Sequence, residues 1–300
     1  RAQFPILSRE VHGKPLAYFD SAASAQKPQA VIDAQARYLS HTHSNIHRGV
    51  HALAQEATEA YEGAREKVRA HLGAASTREI LFVGGCTDGI NLVAQTWGRA
   101  NLDAGDCIVL TRMEHHSNIV PWQMLALERG FDIHVVELNP DGTLDGDQFE
   151  QHLARGPKLV AFTHVSNALG TVNDVKHWTA RAHDAGATVL VDGAQSVPHL
   201  AVNVRELDVD FYTFSGHKTY GPTGIGILYG KEALLDAMPP WRGGGEMIGT
   251  VSFENGTTYN ELPYKFEAGT PAIGEAVGMG AAINYLEQIG LENIAAWEAQ

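Results

Sequence analysis

Cysteine is nearly absent from this 300-residue chain, which has only Cys86 and Cys107. Two thiols cannot build a disulfide framework, and such sparing use fits a reducing, cytoplasmic setting. Positive charge is also short: 22 Lys and Arg stand against 35 Asp and Glu, a formal net charge of −13. A surface of that sign repels phosphate backbones and argues against nucleic acid as a partner. No apolar run approaches the ~18–20 residues that span a bilayer, so no membrane partner is expected. The first ten residues hold no apolar signal core, and the chain opens on Arg1 rather than Met. It therefore reads as a processed product or a fragment. The hydrophobic share of 44% excludes a disordered chain and supports one large domain or two smaller ones.

Short runs rich in β-branched residues read as strands at 79–83, 107–111, 132–136, 158–162 and 187–191, with two more at 210–214 and 225–229. Most are apolar at consecutive positions, the mark of strands covered on both faces. Helical stretches lie between them. Leu53, Ala57, Ala60, Tyr61, Ala64, Val68 and Leu72 make one apolar stripe, and Pro28 opens an earlier helix. Thr87 or Asp88 is expected to cap a helix through Ile90 and Trp97, and further helices fit 120–130, 145–155 and 174–186. Residues 239–245 read as a loop, and 273–300 as a helix broken near Gly290 with nothing downstream to pack on. The alternation predicts an α/β sheet layered by helices, with strand C-terminal ends, and hence the ligand site, along one edge.

Five segments could carry chemistry. Lys218 follows a strand and a glycine, a placement that presents an amine to a carbonyl as a Schiff-base lysine requires; a lone lysine is more often a solvated charge. Asp192 follows a buried strand and is either a turn cap or the carboxylate that keeps a pyridine nitrogen protonated. At about 4 Å and an effective dielectric near 20, that pair is worth ~4 kcal/mol before desolvation. Gly84 to Gly89 is a glycine-rich strand-to-helix turn where backbone N–H groups and the Thr87 hydroxyl suit a phosphate. It lacks a P-loop lysine and a dinucleotide fingerprint. His115 and His116 are adjacent, so they point apart and cannot share a metal, but one could stack on a flat cofactor ring. Asn167 is either a loop cap or a hydrogen-bond partner for a ring oxygen. His41, His43 and His47 invite a metal reading that no His-Glu-x-x-His or cysteine cluster supports. Together, a Schiff-base lysine, a ring carboxylate, a phosphate turn and a stacking imidazole are the parts of a pyridoxal 5'-phosphate site.

Six longer motifs go further: Tyr18-Phe-Asp-Ser-Ala-Ala23, His47-Arg-Gly49, Glu114-His-His-Ser-Asn-Ile-Val-Pro-Trp122, Val191-Asp-Gly-Ala-Gln195, Phe214-Ser-Gly-His-Lys-Thr-Tyr-Gly-Pro-Thr-Gly-Ile-Gly226 and Phe266-Glu-Ala-Gly-Thr-Pro271. In these the chain closely resembles the cysteine desulfurases of the class V aminotransferase family, in particular their SufS-like (group II) branch, from Tyr18 to its end. The resemblance implies a fold-type I pyridoxal phosphate enzyme with a mostly parallel seven-stranded sheet. It divides the chain into a segment 1–16, a cofactor-binding large domain 17–262, and a linker with the start of a helix, 263–300, leading to a small domain that is largely missing. It implies Lys218 as the cofactor-bearing and proton-moving lysine, Asp192 as the ring-nitrogen partner, and Gln195 as a donor to the ring hydroxyl oxygen. By the same resemblance His115 stacks on the ring with acid/base duty, and Asn167 stands near the substrate carboxylate. Thr87, Ser215 and His217 are implied phosphate ligands, with Cys86 in the same turn, and Thr270 a phosphate contact lent by the second subunit of a homodimer. The implied reaction takes L-cysteine to L-alanine and passes the sulfur through a SufE-like acceptor to iron–sulfur cluster assembly.

Two departures stand out. The family's nucleophilic segment, of the form Arg-x-Gly-x-His-Cys, is not in these 300 residues, so a fragment lacking sulfur transfer is expected. Cys86 occupies a position where the family commonly has Thr. It is a poor replacement nucleophile, because the phosphate end of the cofactor faces away from the substrate sulfur. Cys107 reads as an inert core thiol. The competing readings are a selenocysteine lyase or another class V lyase or aminotransferase, a non-catalytic sulfur-transfer scaffold, and, more distantly, a metal hydrolase built on the histidines.

Overall fold

The computed structural model describes residues 1–298; the last two residues of the stretch read as a C-terminal helix, 299–300, lie outside it. Seven strands form the central sheet: β1 (Ile80–Val83), β2 (Cys107–Thr111), β3 (Asp132–Val136), β4 (Leu159–Thr163), β5 (Thr188–Asp192), β6 (Phe211–Ser215) and β7 (Gly226–Gly230). Their spatial order is β1-β7-β6-β5-β4-β2-β3. Only β7 runs against its neighbours, so the sheet is mixed but mostly parallel. Four observed strands begin and end one residue later than the apolar runs suggested, which puts Asp192 and Ser215 inside strand ends rather than after them. β3 departs from the fully buried pattern: it is an edge strand, exposed at Asp132 and only partly covered at Ile133 to Val135.

The sheet divides two cores, and alternation along each strand assigns its side chains. Val189 and Val191 face one core, and Leu190 the other. The first core is closed by α2 (Ala52–His71), α5 (Gly146–Leu153), α6 (Val175–Asp184) and α7 (Ile273–Ile289), through residues such as Tyr61, Val68, Phe149, Ala182 and Ile283. The second is closed by α3 (Cys86–Val93), which runs on through a wider turn at 94–98, and by α4 (Val120–Arg129), through Ile90, Trp97, Trp122 and Leu125. The expected Thr87 or Asp88 cap is not what starts α3. Gly85 is the cap residue, and the Asp88 carboxylate instead accepts from the Gly84 N–H at 2.8 Å.

The helix from Ile273 does find packing. α7 lies against α1 (Gln29–Arg37) and α2, with Ile273, Ala276, Met279, Ala282, Ile283 and Leu286 buried. Gly280 makes the close approach possible, since a Cβ there would sit 3.0 Å from the Ala64 Cβ. The helix stops at Gly290 (φ +85°), as the break near that residue predicted, and α8 (Leu291–Glu298) follows. An exposed hairpin, Ile248–Ser252 with Gly256–Tyr259, was not foreseen. Its residues carry no buried face, so no hydrophobic alternation marks it.

Candidate active site

Because β7 alone is reversed, the C-terminal ends of β1, β2, β4, β5 and β6 meet along one edge of the sheet. The chain steps outward from β2 to β3 and then back to β4, so a switch in strand order falls between β2 and β4. A crevice opens at such points. A cavity of about 480 Å³ lies there, lined by Thr87 and Cys86 after β1, His115 after β2, Asn167 after β4, Asp192 and Gln195 at β5, and Ser215, His217 and Lys218 at β6. Nine of the ten residues singled out from the sequence therefore share one cavity. The tenth, Thr270, does not line it; it borders a smaller space of about 180 Å³ with Gly84, Asp88 and Arg242.

Each side chain is held by an identifiable contact. Asp192, 3% exposed, accepts from the Ala194 N–H at 2.9 Å and from the Cys86 thiol at 3.2 Å. Both bonds fall on Oδ1, leaving Oδ2 for a cationic ring nitrogen. Burial first, and then the Asp192 charge, push the Cys86 thiol well above its ordinary range. Cys86 is thus a protonated donor to the Asp192 carboxylate, and its side chain is turned to that bond rather than poised as a nucleophile. Its backbone N–H, at the start of α3, donates to Ser215 Oγ at 2.9 Å and ties the glycine turn to the end of β6. Gly85 holds φ +151° and ψ 178°, a conformation essentially reserved to glycine.

His115 Nδ1 accepts from the Ser117 N–H at 3.2 Å and lies 2.8 Å from Ser117 Oγ, so the ring carries its proton on Nε2. Burial, then the Lys218 charge, lower its pKa, and the same two causes lower that of His217. Both imidazoles are neutral at neutral pH. Gln195 Nε2 donates to the Ala22 carbonyl at 2.7 Å, pinning the segment from Asp20 to Ala23 over the cavity. The half-buried Lys218 ends a short turn, Gly216–Lys218, whose His217 carbonyl accepts from the Ala25 N–H at 3.0 Å and Lys27 Nζ at 2.9 Å.

Several site residues have no role assigned from the sequence, although all but Thr163 lie in the quoted motifs. Asp20, Ala22, Ser117 and Thr163 line the cavity, and Glu114 lies behind it. Ser117, two residues beyond His115, was the one open to inference, because a hydroxyl at that spacing can bond back to the ring. The histidines considered for metal do other work: His47 sits between Glu62 (3.1 Å) and Glu246 (3.2 Å). Among the described residues no group of three or more metal-ligating side chains converges, and no helix is long and apolar enough to cross a membrane.

This layout is that of a fold-type I pyridoxal phosphate transferase, and the family model of the class-V aminotransferases matches residues 17–300. The chain belongs to that family, whose enzymes depend on pyridoxal 5'-phosphate. Its similarities are narrower still. It is 57% identical over 299 residues to a cysteine desulfurase of Enterobacter sp. (strain 638), covering all of this chain and 74% of that one. The cysteine desulfurase of Thermococcus onnurineus NA1 superposes with a TM-score of 0.91 at 43% identity, over 94% of this chain and 70% of that one. The Escherichia coli cysteine desulfurase CsdA superposes with a TM-score of 0.89 at 41% identity, over 99% and 73%.

The residues present fit the family's cofactor. A buried carboxylate with one open oxygen suits a pyridinium nitrogen, and the glycine turn with Thr87, Ser215 and His217 suits a phosphate. Lys218 and His115 border the space between.

Proposed function

We propose that the chain is the cofactor-binding part of a cysteine desulfurase, an enzyme that takes sulfur from L-cysteine and leaves L-alanine. The convergence of nine site residues from five strand ends on one cavity carries this reading, in a chain more than half identical to a named cysteine desulfurase. Bound pyridoxal phosphate supplies an electron sink that eases loss of the substrate α-proton. The protein's share is positioning. Lys218 Nζ would hold the group and, once substrate takes its place and frees the amine, would move the α-proton; Asp192 Oδ2 would hold the ring-nitrogen proton in place. His115 would cover the ring with a neutral imidazole whose proton sits on Nε2, where it can be donated. Thr87, Ser215 and His217 grip the phosphate, and Gln195 and Asn167 border the ring-oxygen side.

Neither cysteine of the chain suits attack on the substrate sulfur. Cys86 is buried and committed to Asp192, and Cys107 opens β2 at the opposite edge of the sheet. The sulfur-accepting thiol is therefore supplied from outside these two residues. We assign the protein to the SufS-like branch, acting in the cytoplasm as a homodimer in which Thr270 completes the partner's phosphate site. A SufE-like acceptor then carries sulfur to iron–sulfur cluster assembly. The position of Thr270 outside its own chain's main cavity supports a role toward a second copy.

The test is the visible absorbance of the chain loaded with pyridoxal phosphate, before and after L-cysteine, with Lys218→Ala alongside. A dialysis-resistant band that needs Lys218 and changes on adding cysteine is expected. A band that persists unchanged in Lys218→Ala, or that responds equally to any amino acid, would overturn the assignment.

A further inference from the structure

We propose that Glu114 is a positioning residue of the site, whose carboxylate laces the ends of β2 and β4 together beneath His115 and so sets the height and tilt of that ring. The proposal rests on the reading of His115 as the residue that covers the cofactor. Glu114 is 7% exposed and does not line the main cavity, yet three donors converge on it. Oε1 accepts from the Thr111 hydroxyl at 2.5 Å, at the end of β2, and from the Thr163 N–H at 3.0 Å, at the end of β4. Oε2 accepts from Asn118 Nδ2 at 2.7 Å. Asn118 is itself fixed twice: its N–H donates to the His115 carbonyl at 2.8 Å, and its Oδ1 accepts from the Trp122 indole at 3.0 Å. The carboxylate thus closes a ring of bonds around the His115 backbone, and through Thr163, which pairs with Asp192 in the sheet register, it touches the strand that carries the ring carboxylate.

The chemistry of the position explains why a carboxylate is needed there. The Thr163 N–H and the Asn118 amide can only donate, one to each oxygen, so both oxygens must accept, which an amide cannot do; the Thr111 hydroxyl can serve either the carboxylate or the protonated acid. Burial raises the Glu114 pKa to about 8 even though the three donors pull against it, so the geometry holds a carboxyl group that is readily protonated. Among the described residues no cation lies within ion-pair distance of it. A buried acid without a counter-ion costs stability. Holding a catalytic loop in one geometry is a reason for it to be there.

The decisive measurement is a double-mutant cycle on the cofactor-loaded chain: Glu114→Gln, His115→Ala, and both. It reads cofactor affinity, the induced circular dichroism of the bound cofactor's visible band, and the urea unfolding midpoint. Glu114→Gln is expected to weaken cofactor binding about tenfold and alter the dichroic band. The same change in the His115→Ala background is expected to do neither, because the ring it positions is gone. If Glu114→Gln fails to fold, Asn118→Ala, which removes one donor and leaves Thr111 and Thr163 on the carboxylate, takes its place with the same expectation in smaller measure. A lower unfolding midpoint with unchanged affinity and dichroism would make Glu114 a structural tie only and overturn the proposal, as would losses that add in the double variant. Absence of any Lys218-dependent band in the unsubstituted chain would instead sink the underlying cofactor reading.

Discussion

Replacing Glu267 by glutamine strikes the most heavily bonded buried carboxylate outside the site. Its side chain is 4% exposed and makes a two-pronged pair with Arg65, itself fully buried, at 2.7 and 2.9 Å. It also accepts from the Tyr61 hydroxyl at 2.8 Å and the Phe82 N–H at 3.0 Å. Arg65 keeps one bond to Glu62 at 3.0 Å and one to the Ile80 carbonyl at 2.8 Å, and lies over the Phe82 ring. Burial alone would lower the Arg65 pKa; the Glu267 charge more than offsets it and holds it well above the ordinary value. Removing one partner of a buried pair costs about 3–5 kcal/mol, because the other charge stays buried. Glu62 retains part of the balance, so Glu267→Gln should cost about 3 kcal/mol. The assay is urea unfolding followed by tryptophan fluorescence, with Arg65→Met and the double variant completing a cycle. The double should be at least about 2 kcal/mol more stable than the sum of the singles predicts. Glu267 stands three residues before Thr270 and bonds β1, which leads into the glycine turn proposed to take the phosphate, so cofactor affinity should fall in parallel. A Glu267→Gln variant within about 1 kcal/mol of the parent, or strictly additive singles, would refute the reasoning.

Gly226→Ala places a Cβ 2.5 Å from the Gly85 Cα and 2.6 Å from the Phe214 carbonyl oxygen, so it should cost about 1–3 kcal/mol and weaken cofactor binding by shifting the phosphate turn; calorimetry and a cofactor titration check both, and an unchanged affinity would count against the close-approach argument. His164, buried with Nδ1 2.9 Å from the Tyr212 hydroxyl, has its pKa lowered by burial to about 4. The unfolded chain takes up that proton from about pH 6.5 downward while the native chain does not, so stability falls as pH drops from 6.5 to 4, by at most about 3 kcal/mol. His164→Gln should flatten that slope in urea unfolding measured across the range; an unchanged slope would show that His164 is not its source. Cys86 should resist iodoacetamide at neutral pH in the folded chain, as read by mass spectrometry, and rapid labelling would contradict a buried, protonated thiol.

Much of the sheet was legible before any tertiary information, because strands covered on both faces must be apolar at consecutive positions and β2, β4, β5, β6 and β7 are. β3 shows the limit, since whether a strand is an edge depends on what lies beside it. The break at Gly290 was legible because a positive φ suits glycine, and the site residues were legible as types, each set after a strand end or in a glycine turn. Composition also decided that positive charge and thiols are scarce. What only the tertiary structure decided is who meets whom. The Cys86 thiol reaches Asp192 across 106 residues, Gln195 reaches Ala22 across 173, and Glu267 reaches Arg65 across 202. The three donors on Glu114 likewise come from two different strand ends and a loop. Local propensity acts over a few residues, whereas these partners are brought together by the order and direction of strands in the sheet, which the burial of both its faces sets for the chain as a whole.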